Sequence, residues 1–141
     1  MLTQYGVIPV RTSADGGVEI LLITSRETRR WVVPRGNPIP GKSAAQSAAQ
    51  EAYEEAGIRG ELEPEPLGRY FYHKRRRNGD LLPAEVSLFR MRVAEEQDDW
   101  PERGQRDRRW FAAPEAAAAV AEPDLAQLIR KAASLDDPEA P

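Results

Sequence analysis

Short apolar runs, separated by turn-forming residues, set the pattern of the first part of the chain. Four consecutive apolar residues begin at position 20 within residues 18–24, and such an unbroken run predicts a strand buried on both faces. Residues 6–10 predict a strand before it, because the intervening Asp15-Gly16-Gly17 sequence supplies the positive-φ positions that a hairpin turn needs. Residues 31–33 predict a third, short strand.

The next segment changes from a loop to a helix. Residues 34–41 contain three prolines and two glycines, a composition that predicts irregular backbone. The alanine-rich residues 44–56 then predict the best-defined helix of the chain. Ser43 is the expected N-cap, Gln46 completes a capping box with it, and Gly57 provides the left-handed stop.

Alternating side chains predict a second group of strands. Residues 67–74 predict a strand, in which the side chains at positions 67, 69 and 71 alternate with those at positions 68, 70 and 72. Residues 85–93 predict its partner strand, across a turn at residues 77–80. The apolar phase of this partner shifts between Leu88 and Phe89, which indicates either a bulge or burial on both faces.

The last part of the chain predicts one strand and two helices. Residues 108–111 predict the strand, residues 114–121 a helix, and residues 125–132 a final amphipathic helix whose apolar positions recur with the helical period. Residues 136–141 are expected to be a frayed, disordered tail. Because strands and helices are mixed without regular βαβ alternation, the predicted class is α+β, with a mixed sheet sandwiched between helices (α/β/α) in one domain spanning residues 1–135.

Composition narrows the classes of function. A chain of 141 residues can bury a hydrophobic core without needing disulfides or a structural metal. Its net charge of −3 argues against a protein that coats nucleic acid. The absence of cysteine excludes disulfides, thiolate metal sites and cysteine nucleophiles. The N-terminal residues lack the pattern of a signal peptide, and no apolar stretch approaches the roughly 20 residues that span a bilayer, so a cytoplasmic protein without a membrane role is expected.

An acidic ridge lies near the end of the predicted helix. At about 100° per residue, Glu51, Glu54 and Glu55 fall on one side of it, beside a face of alanines that can approach a sheet closely. Like charges at this spacing repel each other, and the helix macrodipole disfavours negative charge near a C-terminus. A hard divalent cation reverses both effects, and oxygen ligands without His or Cys suit Mg²⁺ or Mn²⁺. The alternative is an ordinary solvated acidic face.

Residues 36–58 resemble the Nudix box, a pattern written G-x5-E-x7-R-E-U-x-E-E-x-G-U in which U is aliphatic. The register is kept without a gap, and the loop-then-helix form of the box agrees with the capping and glycine positions above. The likeness extends to the Trp31-x-x-Pro34-Arg35-Gly36 segment and to the strands around the box, so it covers most of the chain and implies the Nudix fold. The matching positions are Gly36, Glu51, Ala52 at the aliphatic position, Glu54, Glu55, Gly57 and Ile58.

Two positions depart from the box. Lys42 stands where the pattern has its first glutamate, and Gln50 stands where it has arginine. In the family these two residues pair and brace the loop against the helix. Since both members have changed here, neither leaves a lone charge behind, and we interpret the pair as a modified brace that bears on rate and metal affinity.

The resemblance implies a metal-dependent pyrophosphohydrolase that cleaves a diphosphate linkage by water attack on phosphorus. Because such cleavage passes through a highly charged transition state, cations and positioning supply most of the catalysis. The implied cofactor is Mg²⁺ or Mn²⁺. Glu54 and Glu55 are implied to hold the principal metal, Glu51 to be a further ligand or the base that acts on the attacking water, and the Gly36 carbonyl to add a ligand.

Residues 31–36 and the later Arg108-Arg109-Trp110-Phe111 sequence are most similar to the diphosphoinositol polyphosphate phosphohydrolase branch of the family. This implies a small polyphosphate partner, either a diphosphoinositol polyphosphate, a dinucleoside polyphosphate or another nucleoside diphosphate derivative. Such substrates are strongly anionic, so basic residues that flank the site are candidate ligands for their phosphate groups. The alternative is that the basic residues near position 75 form a solvated hairpin tip and that Lys42 faces solvent. The candidate substrate-binding residues are Arg35, Lys42, Lys74, Arg75 and Arg76.

Other polar and aromatic residues are expected to have lesser roles. His73 is expected to be an incidental surface residue, and one face of the strand with Tyr70 and Tyr72 to be core-facing or site-lining. The loop around Glu102 is expected to be solvated, with a contributed base as the alternative. Core or loop-anchor roles are expected for Trp31, Trp100 and Trp110, rather than stacking on a base.

Two alternatives to this function stay open. One is a catalytically weak Nudix-fold module that binds a phosphorylated ligand, which the changes at Lys42 and Gln50 motivate and the intact glutamates oppose. The other is removal of pyrophosphate from RNA 5′ ends, which the basic run at residues 73–77 suggests and the acidic net charge opposes. Nothing in the sequence indicates an oligomeric state.

Overall fold

The computed structural model describes residues 1–135, which form eight strands and three helices. The predicted tail, residues 136–141, lies outside the described residues. The elements are β1 (Leu2–Thr12), β2 (Val18–Thr24), β3 (Trp31–Val32), β4 (Arg35–Gly36), α1 (Ala44–Ala56), β5 (Ile58–Leu62), β6 (Gly68–Arg75), β7 (Leu81–Glu96), β8 (Arg108–Ala112), α2 (Ala113–Ala119) and α3 (Pro123–Ser134).

A parallel pair of strands, β1 and β7, forms the middle of one mixed sheet, with Leu2 opposite Ala84 and Val10 opposite Arg92. On one side, β2 joins β1 in antiparallel orientation, and β3 and β8 join β2. On the other side, β7 is long enough to pair with β6 along its first half and with β5 along its second half. The remaining pairings of the sheet are thus antiparallel around one parallel centre.

Neighbouring side chains of the central strands enter two separate cores, one on each face of the sheet. In β7, Leu88 lies in the core under α2 and α3, whereas Phe89 lies in the core under α1. Leu22 and Leu21 of β2 divide between the same two cores. The pairing of β1 with β7 runs through this point in unbroken register, so the apolar phase shift reflects burial on both faces and not a bulge. The predicted α/β/α sandwich is confirmed.

Helix α1 begins and ends at its predicted residues. The Ser43 Oγ accepts the Gln46 N–H at 3.1 Å, and the Gln46 side-chain carbonyl accepts the Ser43 N–H at 2.8 Å, which completes the capping box. Gly57 ends the helix at a φ of 67°, where a side chain is strained. Ala48 and Ala52 are fully buried, because small residues allow the helix to pack closely on the sheet.

Pairing partners lengthen or create strands that the sequence pattern does not define. β1 extends beyond residues 6–10 because its residues 2–5 pair with β7 and its residues 11–12 pair with β2. β7 extends beyond residues 85–93 because β6 pairs with its residues 81–84 and β5 pairs with its residues 95–96. The pattern does not predict β5, whose Gly60 and charged residues lack apolar alternation, and antiparallel bonds to β7 form this strand.

The proline-rich segment 34–41 contains a short strand, so the prediction of wholly irregular backbone there is wrong. β4 pairs with β1, which places Arg35 opposite Gly6 and Gly36 opposite Tyr5. Gly6 permits this approach, because a Cβ at that position would lie 2.3 Å from the Pro34 carbonyl oxygen. The pairing anchors Arg35 and Gly36 to the sheet.

Candidate active site

The three glutamates of the acidic ridge line one cavity of about 440 Å³. Arg35 and Gly36 of β4 line the same cavity, so the structure brings together all the residues predicted to hold metal and the predicted arginine of the loop. Further walls come from the segment between β2 and β3, the end of β6, and the segment between β7 and β8.

The segment between β7 and β8 is clamped onto the C-terminal end of α1. A helix leaves its last carbonyl groups without intrahelical partners, and here Trp100 Nε1 donates to the Glu55 carbonyl at 3.3 Å and Arg108 donates to the Ala56 carbonyl at 2.8 Å. The Arg108 guanidinium also lies over the Trp100 ring, 4.0 Å from its centroid. Gly57 leaves room for the indole, since a Cβ there would lie 2.6 Å from it.

The clamped segment brings Glu102 and Arg106 into the cavity. The backbone N–H of Glu102 donates to the Glu54 carbonyl at 3.0 Å. Arg106, whose side chain is only 10% exposed, donates to the carboxylates of Glu102 at 2.9 Å and Glu55 at 3.4 Å and to the Thr24 carbonyl at 3.2 Å. The sequence pattern missed Arg106, because its single signal, an i,i+4 spacing from Glu102, is common on protein surfaces.

Glu55 is the most enclosed of the three box glutamates, with 8% of its surface exposed. One carboxylate oxygen accepts the backbone N–H of Arg35 at 3.1 Å, and the other accepts the Arg106 guanidinium. Burial raises the pKa of Glu55 to about 8, although Arg106 and the Arg35 N–H act in the opposite direction. Burial in the protein therefore disfavours a charge on this carboxyl group.

Glu51 lies against Gly36. A Cβ on Gly36 would lie 2.3 Å from the Glu51 Cδ, so any other residue at that position would displace the Glu51 side chain. Burial, followed by repulsion from Glu54 and Glu102, raises the pKa of Glu51 to about 7. A side-chain interaction with Glu55 partly opposes this shift.

The carboxylates have the chemistry of a hard-cation site but are not gathered around a common point. Among residues 1–135, no three His, Cys, Asp or Glu side chains are already arranged to hold a metal ion. Glu54 accepts the Gln50 amide at 2.9 Å, and both oxygens of Glu55 have protein donors. Oxygen ligands alone, buried excess negative charge and space for phosphate nonetheless fit Mg²⁺ or Mn²⁺, which use few carboxylates and complete their shells with water and phosphate.

The predicted basic residues divide into two groups. Lys74 and Arg75, with the neighbouring His73, line the cavity at the end of β6, whereas Lys42 and Arg76 are exposed and lie outside its lining. The histidine is exposed, as expected, although it sits at the rim. The sequence pattern missed two further cations of the lining, Arg26 and Arg30, because nothing in the order of residues shows that the turn between β2 and β3 folds towards the box.

The box brace is replaced by other contacts. Gln50 donates to Glu54, four residues further along the helix, and Lys42 is exposed, with its backbone N–H bonded to the Ile39 carbonyl at 3.0 Å. The loop is instead tied to α1 by Ser47, which is fully buried and whose Oγ accepts the Ile39 N–H at 3.0 Å. These contacts hold the loop without a charged pair.

The tryptophans anchor structure, as expected. Trp31 packs edge-on against Phe111 with ring centroids 5.0 Å apart, and Trp110 Nε1 donates to Glu96 at 2.9 Å. Of the two tyrosines of β6, Tyr70 is in the core and Tyr72 lines the cavity. Within residues 1–135 no helix is both long and apolar enough to cross a membrane.

Three known proteins show what this fold and sequence are similar to. Nudix hydrolase 12, mitochondrial, of Arabidopsis thaliana is 33% identical over 126 residues, which cover 79% of this chain and 62% of that protein. Diphosphoinositol polyphosphate phosphohydrolase 3-alpha of Mus musculus is 33% identical over 101 residues, covering 70% of this chain and 57% of that protein. The chain therefore spans about three-fifths of the length of these two relatives.

The solved structure of a C. elegans Ap4A hydrolase binary complex superposes with a TM-score of 0.69, covers 93% of this chain and 94% of its own, and is 21% identical. At this identity the likeness concerns the fold, and it confirms the predicted Nudix architecture. The family model described as NUDIX domain matches residues 3–132, which include every element from β3 to α2 and the whole cavity. The chain belongs to the NUDIX domain family.

Proposed function

We propose that this chain hydrolyses a diphosphate linkage in a small, multiply phosphorylated substrate, using Mg²⁺ or Mn²⁺ held by Glu51, Glu54 and Glu55. One observation carries the proposal: besides the ion-paired Arg106, a single cavity combines a carboxylate wall on α1 with cations from three separate segments. The carboxylates suit a divalent ion, and the cations suit phosphate groups on both sides of the bond to be cleaved. The cations are Arg26, Arg30, Arg35, Lys74 and Arg75.

Each carboxylate has a distinct place in this proposal. Glu54 and Glu55 are the principal metal ligands, with the Gly36 carbonyl as a further ligand. A bound cation would neutralise charge that develops on the phosphoryl oxygens and lower the pKa of a water molecule. Glu51, which lies against Gly36 in the same cavity, is either a further metal ligand or the base that takes the proton from the attacking water. Arg106 keeps Glu55 in place from the opposite side.

The lining of the cavity favours a diphosphoinositol polyphosphate over a dinucleoside polyphosphate. A nucleobase is normally held by a free aromatic face, and Tyr72 is the single Phe, Tyr or Trp among the described residues that line the cavity. Its ring already packs against the Arg35 guanidinium, 4.0 Å away, and against Tyr70. The mouse relative, by its name, acts on the class of substrate that a base-free, cationic cavity fits.

The first experiment tests hydrolysis itself. Purified protein is incubated with a panel of diphosphate compounds, with and without Mg²⁺ or Mn²⁺, and release of phosphate is measured. We expect metal-dependent cleavage of at least one compound and a loss of at least about 10²-fold in rate for Glu54→Gln or Glu55→Gln, the scale of removing one electrostatic stabiliser. Glu61→Gln, at an exposed position of β5, is the matched control and should retain the wild-type rate.

The second experiment tests the substrate class. The ratio kcat/KM is compared between a diphosphoinositol polyphosphate and a dinucleoside tetraphosphate under the same metal concentration. We expect the inositol compound to have the higher ratio. A higher ratio for the dinucleoside compound would show that a base-binding surface forms in the complex and would overturn the choice of substrate while leaving the hydrolase proposal intact.

A phosphate-binding module without turnover is the second candidate, since the described carboxylates are not gathered for metal and the box brace is changed. The same panel separates it from the hydrolase. Tight binding of a polyphosphate, with no cleavage of any compound in either metal, would favour the module. Including an RNA with a 5′-triphosphate in the panel tests the third alternative, and we expect it to be the poorer substrate because the net charge of the chain is −3.

A further inference from the structure

Arg35 differs from the other deeply placed arginine of the cavity in having no ion pair. Arg106 is paired with Glu55 and Glu102. Among residues 1–135, no carboxylate lies within ion-pair distance of the Arg35 guanidinium, and its backbone N–H, rather than its side chain, bonds to Glu55. Apart from a side-chain hydrogen bond with Tyr72, the guanidinium therefore has its donors available for an anion that enters the cavity.

A tyrosine and two amides hold this guanidinium in place. The Cζ of Arg35 lies 4.0 Å from the centroid of the Tyr72 ring. The Tyr72 hydroxyl donates to the Gln4 Oε1 at 2.7 Å, and the Gln4 Nε2 donates to the Asn37 Oδ1 at 3.2 Å. Gln4 is only 3% exposed, and Tyr72 packs against the buried Tyr70 with ring centroids 6.0 Å apart.

These contacts join parts of the chain that are distant in sequence. Gln4 comes from β1, Arg35 from β4, Asn37 from the loop after it, and Tyr72 from β6. An unrestrained arginine loses side-chain entropy when it is immobilised. A guanidinium already stacked on a fixed ring has lost part of this freedom before the ligand arrives, and such preorganisation strengthens binding.

We propose that Tyr72 and Gln4 are positioning residues that hold Arg35 ready to bind a phosphate group of the substrate. Tyr72 supplies the surface on which the guanidinium lies, and Gln4 fixes the orientation of that surface through the hydroxyl. The inference rests on the proposed function only in taking the ligand to be a polyphosphate. It concerns affinity, and it involves neither the carboxylates nor a metal.

The test measures binding of inositol hexakisphosphate, which contains no diphosphate bond, by calorimetry without added metal. We expect Arg35→Ala to weaken binding at least about tenfold, since a hydrogen bond to a charged group is lost. Tyr72→Leu should weaken binding by a similar factor in the wild-type background and by less than about twofold in the Arg35→Ala background, because it acts through Arg35. Melting temperatures are measured alongside.

Tyr53→Leu is the matched control. Its ring carries the guanidinium of Arg59 at 4.1 Å, so it removes the same kind of stack outside the cavity lining. It should leave the affinity unchanged. If Tyr72→Leu weakened the affinity by the same factor in the wild-type and Arg35→Ala backgrounds, the positioning role would be overturned. An unchanged affinity of the Tyr72→Leu single variant would overturn it as well.

Tyr72→Phe keeps the ring and removes the bond to Gln4, so it replaces Tyr72→Leu if the latter does not fold. We expect a loss of about threefold in affinity, which again disappears in the Arg35→Ala background. An affinity equal to wild type would refute the part played by Gln4. The probe contains no diphosphate bond, so this experiment is independent of the hydrolysis assay. Coupling between Tyr72 and Arg35 would support the positioning role even if no compound of the panel were cleaved. Absence of coupling would overturn the positioning role without contradicting measured hydrolysis.

Discussion

Adding one methyl group at Gly36 should remove most activity while leaving the fold intact. The Cβ of Gly36→Ala would lie 2.3 Å from the Cδ of Glu51 and 2.6 Å from its Cγ and Oε1, where ordinary contacts begin at 3.4 Å. The Glu51 carboxylate must therefore move by about 1 Å, a displacement that can cost about 10²-fold in rate when the moved group acts on the reacting atoms. The expected loss in kcat is about 10²-fold, or about 2.7 kcal/mol of transition-state stabilisation.

Stability should change little, because Glu51 is a flexible, partly exposed side chain that can swing into the cavity. The backbone of Gly36 is not in the left-handed region, so alanine adds no strain there. Gly104→Ala is the matched control, since a Cβ at Gly104 meets no atom within 4 Å. Activity is measured with the best compound of the panel at saturating Mg²⁺, and stability by urea unfolding.

The combination with Glu51→Gln decides the mechanism of the loss. If Gly36→Ala acts by displacing Glu51, the kcat of the double variant should lie within about threefold of the kcat of Glu51→Gln alone, because the effects of residues that act as one unit are not additive. A Gly36→Ala protein with wild-type activity, or full additivity in the double variant, would refute the reasoning from the contact between Gly36 and Glu51.

Three further outcomes follow from the described contacts. Burial raises the pKa values of Glu51 and Glu55 from 4.5 to about 7 and about 8, so the stability that their protonated forms contribute should be present below about pH 4.5 and be lost as the pH rises through 7 to 8. In urea unfolding with a chelator, the free energy of unfolding of Glu51→Gln should therefore fall less with rising pH than that of the wild type. An equal fall in both proteins would contradict this. Gly57→Ala should lower the free energy of unfolding by at least about 1 kcal/mol, because position 57 has a φ of 67° and a Cβ there would lie 2.6 Å from the Trp100 ring; stability equal to that of Gly104→Ala would argue against both constraints. The Tyr70 hydroxyl is buried without a hydrogen-bond partner among residues 1–135, so Tyr70→Phe should keep or raise thermal stability, and a fall of several degrees in Tm would show that the hydroxyl has a partner in solution.

The order of residues by itself determined the local elements around the carboxylates. Ser43, Gln46 and Gly57 predict both ends of α1 because capping depends on backbone groups within a few residues of each cap. The spacing of Glu51, Glu54 and Glu55 places them on one side of that helix by geometry alone. The apolar run of β2 likewise predicts a strand buried on both faces, since burial of consecutive side chains requires cover on both sides.

Only the tertiary structure decided which distant residues share the cavity. Arg106 and Arg26 enter it from segments that carry no distinctive pattern, and the bonds that hold Arg106 in place join it to residues far away in the chain. The same is true of β4 and β5, which form because β1 and β7 offer free hydrogen-bond partners, although their own sequences lack a strand pattern. Pairing of distant segments depends on shape and on available partners across the whole fold, whereas periodicity and capping act only between near neighbours. For this reason the acidic ridge was predictable from the sequence, and the arginine that braces it and the tyrosine that supports Arg35 were not.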